Sequence, residues 1–422
     1  MKEQNSRIAS VFAREILDSR GNPTVECEIR LEDGTLGVAS VPSGASTGKY
    51  EAHELRDGHK ERYGGRGVLG ATHMIKQEIG DAIIGKYACE QGAIDHAMID
   101  LDGTENKSRL GGNSILAVSL ATACAAAAYQ KSELYRYLGG AAARRMPVPM
   151  MNIMNGGVHA TSSLEIQEFM IVPRGAAFCE SVRIGAEIYR ELGSMLKRRG
   201  YSTSVGDEGG YAPDLGSDEE ALDLICEAIS AAGYSTEQVG LALDVASSGW
   251  WDGEGYKLTK SGARKSSEQL IEYYARLAEK YPIISIEDGL GEDDISGWRM
   301  LTDTLGDRIM LVGDDLFVTN EERVRAGIDG RYANAVLIKP NQVGTLTETL
   351  NVINLAREHG YSYIISHRSG ETEDTFIADL AVATGAPYIK CGAPCRSERC
   401  AKYNRLMRIE QMLGCAVLNE KE

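Results

Sequence analysis

The chain has 422 residues, 43% hydrophobic and 25% charged, which excludes a collagen-like, disordered or low-complexity protein. Its 45 Lys+Arg against 61 Asp+Glu leave a formal charge of −16, so nucleic acid and membrane are not expected as partners. A small anion held locally is still compatible with that balance. No run approaches ~18 consecutive apolar residues, and the small, apolar stretch 121–128 reads as a buried helix. Nine cysteines lack CxxC spacing and the first residues carry no apolar signal region, so a reduced, cytoplasmic protein is expected. Cys391, Cys395 and Cys400 have no histidine near enough in sequence to suggest a zinc site.

Residues Ile8–Leu17, 24–31 and 36–41 predict an antiparallel meander that turns at 18–23 and 32–35. Residues 43–48, Ser-Gly-Ala-Ser-Thr-Gly, read as a mobile loop carrying hydroxyls. Helical patterns follow over 68–87, 91–101 and 113–138, the last closed by Gly139-Gly140. Residues 1–138 thus predict a smaller α+β domain. Over 139–422 the pattern becomes short apolar runs with helices between or after most of them. The runs are 148–153, 166–172, 239–245, 283–286, 309–312, 335–338, 363–365 and 388–389. The helices are 179–198, 218–232, 267–281, 344–358, 375–384 and 396–413. The class is α/β, and eight strands over this length predict a closed (β/α)8 barrel of the TIM type. Its start is irregular, because a loop joins the first two strands and two helices follow the second. An open doubly wound sheet is the alternative.

The apolar runs end on charge. Asp244, Glu287-Asp288, Asp314-Asp315, Lys339, His367-Arg368-Ser369 and Lys390 close six of them in order. In a barrel, all six would face one mouth, where active sites lie. One charged strand end is usually a solvated edge, but six would be costly to bury together without a ligand or metal. Asp244, Glu287 and Asp314 are oxygen donors without Cys or His, which favours Mg²⁺. Arg368 and Ser369 suit a phosphate, and Lys339 and Lys390 flank the carboxylates. A desolvated lysine near a dication is expected to have a lowered pKa and to act as a base. A carboxylate-held metal with a lysine base suits proton abstraction beside a carboxylate, a pairing already described for the enolase superfamily. Gln167-Glu168, Glu208 in Gly206–Gly210 and His159 after Gly156-Gly157 form a second, weaker set. By themselves, a glycine-flanked acid is more often a turn residue, and a lone histidine a structural hydrogen bonder.

Taken together, these stretches resemble enolase along essentially the whole chain. The resemblance is carried by 14–26 (REILDSRGNPTVE), 41–48 (VPSGASTG), 102–112 (DGTENKSRLGG), 167–170 (QEFM), 206–210 (GDEGG) and 285–289 (SIEDG). It continues through 311–320 (LVGDDLFVTN), 338–345 (IKPNQVGT), 366–374 (SHRSGETED) and 392–401 (GAPCRSERCA). The resemblance implies reversible dehydration of 2-phospho-D-glycerate to phosphoenolpyruvate with two Mg²⁺ ions. It implies Asp244, Glu287 and Asp314 as ligands of the first ion, and Ser46 as a ligand of the second. Lys339 would be the base and Glu208 the acid, with Glu168 beside the leaving hydroxyl. Lys390 and Gln167 would meet the substrate carboxylate, Arg368 and Ser369 the phosphate, and His159 and His367 would line the site. A homo-oligomer, a dimer or an octamer, is implied as well, with the cell surface as a second location. A surface-binding role, alone or added to catalysis, is the alternative. Thr161-Ser162-Ser163, Lys49-Tyr50 and the late cysteines depart from the usual family pattern, but none has an implied chemical role.

Overall fold

The computed structural model describes residues 6–44, 48–157 and 162–414, together with the backbone of 417–418. Period-two alternation builds the first sheet. Strand β1 (Ile8–Leu17) pairs antiparallel with β2 (Pro23–Leu31), which pairs antiparallel with β3 (Leu36–Ser40). Val25, Cys27, Ile29 and Leu31 alternate inward from β2 and are buried. The helical stretch after the sheet starts as α1 (Leu69–Met74) and runs through a π turn (Ile75–Ile79) into Gly80–Ile83. Helix α2 (Gln91–Asp102) follows, and α3 (Gly112–Tyr129) lies on the sheet. That packing is close: a Cβ on Gly37 of β3 would meet Ala125 N at 2.2 Å and Ala121 O at 2.4 Å. Among the described residues α3 alone is long and apolar enough to cross a bilayer, and it is a core helix, 83% buried.

One helix expected over 113–138 is two. It breaks where Lys131 takes a left-handed φ of 53°, and α4 (Leu134–Gly139) then begins. Gly139 is not a simple stop: a Cβ there would lie 2.1 Å from Ala383 O, so it permits a close helix crossing.

The barrel closes with eight strands. They are β4 (Val148–Asn155), β5 (Glu168–Pro173), β6 (Val239–Asp244), β7 (Ile283–Glu287), β8 (Met310–Gly313), β9 (Ala335–Ile338), β10 (Ser362–Ser366) and β11 (Tyr388–Lys390). Neighbours are parallel except at β5, which runs antiparallel to β4 and β6. With no helix between β4 and β5, the chain has no crossover to restore direction, so the second strand returns antiparallel. The antiparallel strand has a functional consequence, because its first residue, Glu168, lies at the same mouth as the last residues of its neighbours. Val148, Met150, Met170, Val172, Met310, Leu337 and Ile364 fill the inside of the barrel.

The outer helices are α5 (Phe178–Arg198), α6 (Asp218–Ala231), α7 (Ser267–Lys280), α8 (Ile295–Leu305), α9 (Glu321–Gly330), α10 (Leu346–Glu358), α11 (Phe376–Thr384) and α12 (Ser397–Leu413). α8 and α9 were not expected, although Asp294 and Asn320 mark their starts by accepting Gly297 N and Arg323 N. The helix expected from 344 starts later. A short turn, Pro340–Val343, ends at Gly344 with φ 97°, and Thr345 then caps α10 by accepting Glu348 N.

Candidate active site

Charged side chains gather at the mouth, at or just after the ends of β6 to β11 and at the start of β5. A cavity of about 220 Å³ there is lined by Gln167, Glu168, Glu208, Asp244, Asp314, Lys339, His367, Arg368, Ser369 and Lys390, among others. The predicted residues are therefore brought together, with Glu287 just beneath at 1% exposure. Ser46 and His159 lie outside the described residues.

Lys390 stands among three carboxylates. Its Nζ is 2.9 Å from Asp244 Oδ2, 2.9 Å from Glu287 Oε1 and 3.2 Å from Glu168 Oε2. Burial works against its charge, but Asp244, Glu168 and Glu287 outweigh burial and hold the ammonium well above its ordinary pKa. Three acids share that one cation. Burial first, then repulsion from Glu208, pushes Glu168 well above the usual carboxyl value; burial and Asp244 do the same to Glu287. Among the described residues, Glu287 Oε2 is buried without a hydrogen-bond partner. A region short of positive charge, with an orphaned carboxylate oxygen, is a fit for a hard cation.

Asp314 is held on both sides. Lys339 Nζ donates to its Oδ2 at 2.5 Å and Gln342 Nε2 to its Oδ1 at 2.9 Å. Burial would raise the Asp314 pKa, but Lys339 overcomes it and lowers it below the ordinary value. The reciprocal effect on Lys339 is opposite to the lowered pKa expected from the sequence. Burial favours its neutral form, yet the Asp314 carboxylate raises it. The difference is physical: the expectation assumed a neighbouring dication, whereas here Asp314 is the lysine's counter-ion.

Oxygens of Asp288, Asp314 and Asp315 also lie within 4.8 Å of one another. Asp288 is already engaged, since its carboxylate accepts Asp314 N at 2.9 Å and Asp315 N at 2.8 Å. It braces the end of β8, and all three acids line the cavity.

Glu208 is placed by glycines. Gly206 N donates to Gly210 O and Gly209 N to Gly206 O, and Gly209 has φ 87°. A Cβ on Gly210 would lie 2.5 Å from Asn155 Oδ1. Asn152 Nδ2 then donates to Glu208 Oε2 at 3.1 Å, and His367 Nε2 lies 3.3 Å from the same oxygen. Burial depresses the pKa of His367 to about 4, outweighing the Glu208 carboxylate, so its ring is neutral.

Arg368 meets an unforeseen partner. Its Nη1 donates to Glu51 Oε2 at 3.0 Å and to Asn341 Oδ1 at 3.1 Å. Glu51 is also buried, and Gly48 N donates to it at 3.1 Å. Sequence reasoning missed Glu51 because nothing in its local pattern distinguishes it from a surface acid. It missed Gln342 for the same reason, although Gln342 follows Lys339 by three residues.

Two family models cover nearly all of this chain. The enolase N-terminal domain matches residues 8–138, and the enolase C-terminal TIM barrel domain matches 143–420. The chain belongs to the enolase family. Membership implies a lyase-type enzyme acting on a small molecule, in a family that generally depends on Mg²⁺.

Proposed function

We propose that this enolase-family chain interconverts 2-phospho-D-glycerate and phosphoenolpyruvate. The observation that carries the reading is one cavity joining Lys339, Glu208, Asp244, Asp314, Arg368 and Lys390. Those groups combine a base, an acid, a cation-binding acidic wall and two anion receptors. Lys339 takes the proton from C2. Glu208 protonates the departing C3 hydroxyl, so that water leaves as the double bond forms, and Glu168 lies beside it. Lys390 and Gln167 orient the substrate carboxylate, and Arg368 with Ser369 takes the phosphate.

Asp244, Glu287 and Asp314 would hold Mg²⁺, whose charge stabilises the second negative charge developing on the substrate carboxylate. Ser46 would help hold a second ion. Lys339 must lose its proton before it can act as a base, and Asp314 is the group that retains it. Arg368 is paired with Glu51, which competes with the phosphate for its charge. We assign the reaction to the cytoplasm and the active form to a homo-oligomer, which mass measurement in solution tests. The direct test is enol absorbance after adding 2-phosphoglycerate and Mg²⁺. A folded chain that gives none would sink the proposal.

A further inference from the structure

Helix α12 sends two cations beneath the site. Arg399 is 0% and Lys402 1% exposed, three residues apart on one helical face. Lys402 Nζ donates to Glu371 Oε2 at 2.8 Å and Thr372 O at 2.6 Å. Arg399 reaches further. Its Nη1 donates to Arg368 O at 2.6 Å, and its Nη2 to Ser369 O at 2.6 Å and Asp207 O at 3.1 Å. One guanidinium thus joins the segment carrying His367, Arg368 and Ser369 to the loop carrying Glu208. Gly392 makes room for the junction, since a Cβ there would lie 2.7 Å from Glu208 O, 3.0 Å from Arg399 Cδ and 3.2 Å from His367 Cε1.

The remaining contact has a chemical consequence. Arg399 Nη1 lies 2.6 Å from His367 Nδ1. A guanidinium stays protonated and has no acceptor, so Nδ1 must offer its lone pair. In a neutral imidazole the proton then sits on Nε2. Nε2 is the nitrogen that faces Glu208 Oε2 at 3.3 Å, a contact slightly longer and less aligned than a full hydrogen bond. The other tautomer would set two N–H groups against each other at 2.6 Å.

We propose that Arg399 is a positioning residue that locks His367 in its Nε2–H tautomer and thereby fixes the carboxyl group of Glu208. The proposal rests on the reading of Glu208 as the acid of the dehydration. Arg399 touches no reacting atom; it acts through His367 and the Asp207 carbonyl.

The tautomer can be read without activity. Long-range ¹H–¹⁵N correlation on the full chain labelled with ¹⁵N-histidine separates the two tautomers, and His367→Gln assigns the signal among seven histidines. The expected spectrum has a protonated Nε2 and an unprotonated Nδ1; a protonated Nδ1 in the unaltered chain overturns the proposal. Arg399→Met removes the donor and should populate the Nδ1–H form. It should lower kcat about 10²-fold, in line with displacing a catalytic group by about 1 Å, while exchange of the C2 proton persists. Arg399→Gln keeps an N–H donor and should retain the Nε2–H form and much of the activity. Unchanged tautomer and turnover in Arg399→Met, or turnover and exchange falling together with the tautomer unchanged, would each contradict the positioning role. Should Arg399→Met fail to fold, the spectrum of the unaltered chain and Arg399→Gln still decide. Glu208→Gln is measured alongside: if it keeps full turnover, the acid assignment has failed, while the His367 spectrum still reports on Arg399.

Discussion

Asp218 at the start of α6 has a buried carboxyl group with no cation partner among the described residues. Its Oδ1 accepts Glu165 N at 3.0 Å and Ile166 N at 3.3 Å, and Tyr273 OH approaches Oδ2 at 3.5 Å. Burial outweighs the backbone donors and raises its pKa from the ordinary 3.8 to about 6. A raised carboxyl pKa means that the folded chain binds the proton more tightly, so stability is present below pH 3.8 and falls as pH rises through 6. The full penalty is about 3 kcal/mol at pH 8, but only ~0.5 kcal/mol at pH 4. Asp218→Asn preserves shape and the Oδ1 acceptor while removing the charge. Losing a carboxylate at a helix N-terminus costs ~0.3–1 kcal/mol, which leaves a net gain of about 2 kcal/mol at pH 8. Unfolding entropy for a chain of this length is roughly 0.9 kcal/mol per degree, so Tm should rise ~2 °C at pH 8. At pH 4 the difference from the unaltered chain should nearly vanish. Thermal melts across pH 4–8 test this. A gain independent of pH, or a loss at pH 8, would refute the argument that desolvation dominates at Asp218.

Mg²⁺ at about 100 times its Kd should add ~2.7 kcal/mol, or ~3 °C in Tm, and chelation should reverse it. Asp314→Asn should shrink that shift more than it lowers Tm without metal; a melt indifferent to Mg²⁺ would argue against the acidic wall as a cation site. Gly37→Ala would force a Cβ against the α3 backbone and should cost ~1–3 kcal/mol or more in denaturant unfolding. An unchanged midpoint would mean that the helix can lift from the sheet cheaply.

The barrel was legible because its strands are buried on both faces. Ala335–Ile338 is a four-residue apolar run ended by Lys339, and the run and its charged end are both visible in the sequence. The ordered charges alone place Asp244, Glu287, Asp314, Lys339, His367 and Lys390 at one mouth. Burial of charge is much harder to read. Glu51, Arg399 and Lys402 look like surface residues, and only long-range pairing shows that they are internal. Arg399 sits in a strongly polar helix, and the three carbonyls its guanidinium reaches are 30 to 192 positions away in sequence. The Lys339 charge state depends on which partner Asp314 has, and sequence order does not supply that.

Exchange of the C2 proton of 2-phosphoglycerate with D₂O, followed by NMR, tests the proposed reaction most directly. Lys339→Ala should abolish both turnover and exchange at saturating Mg²⁺. Glu208→Gln should lose ~10²–10⁴-fold in turnover yet still exchange the proton, because abstraction precedes loss of the hydroxyl. Persistent exchange in Lys339→Ala would contradict the account, for it would leave Lys339 as no more than the counter-ion of Asp314.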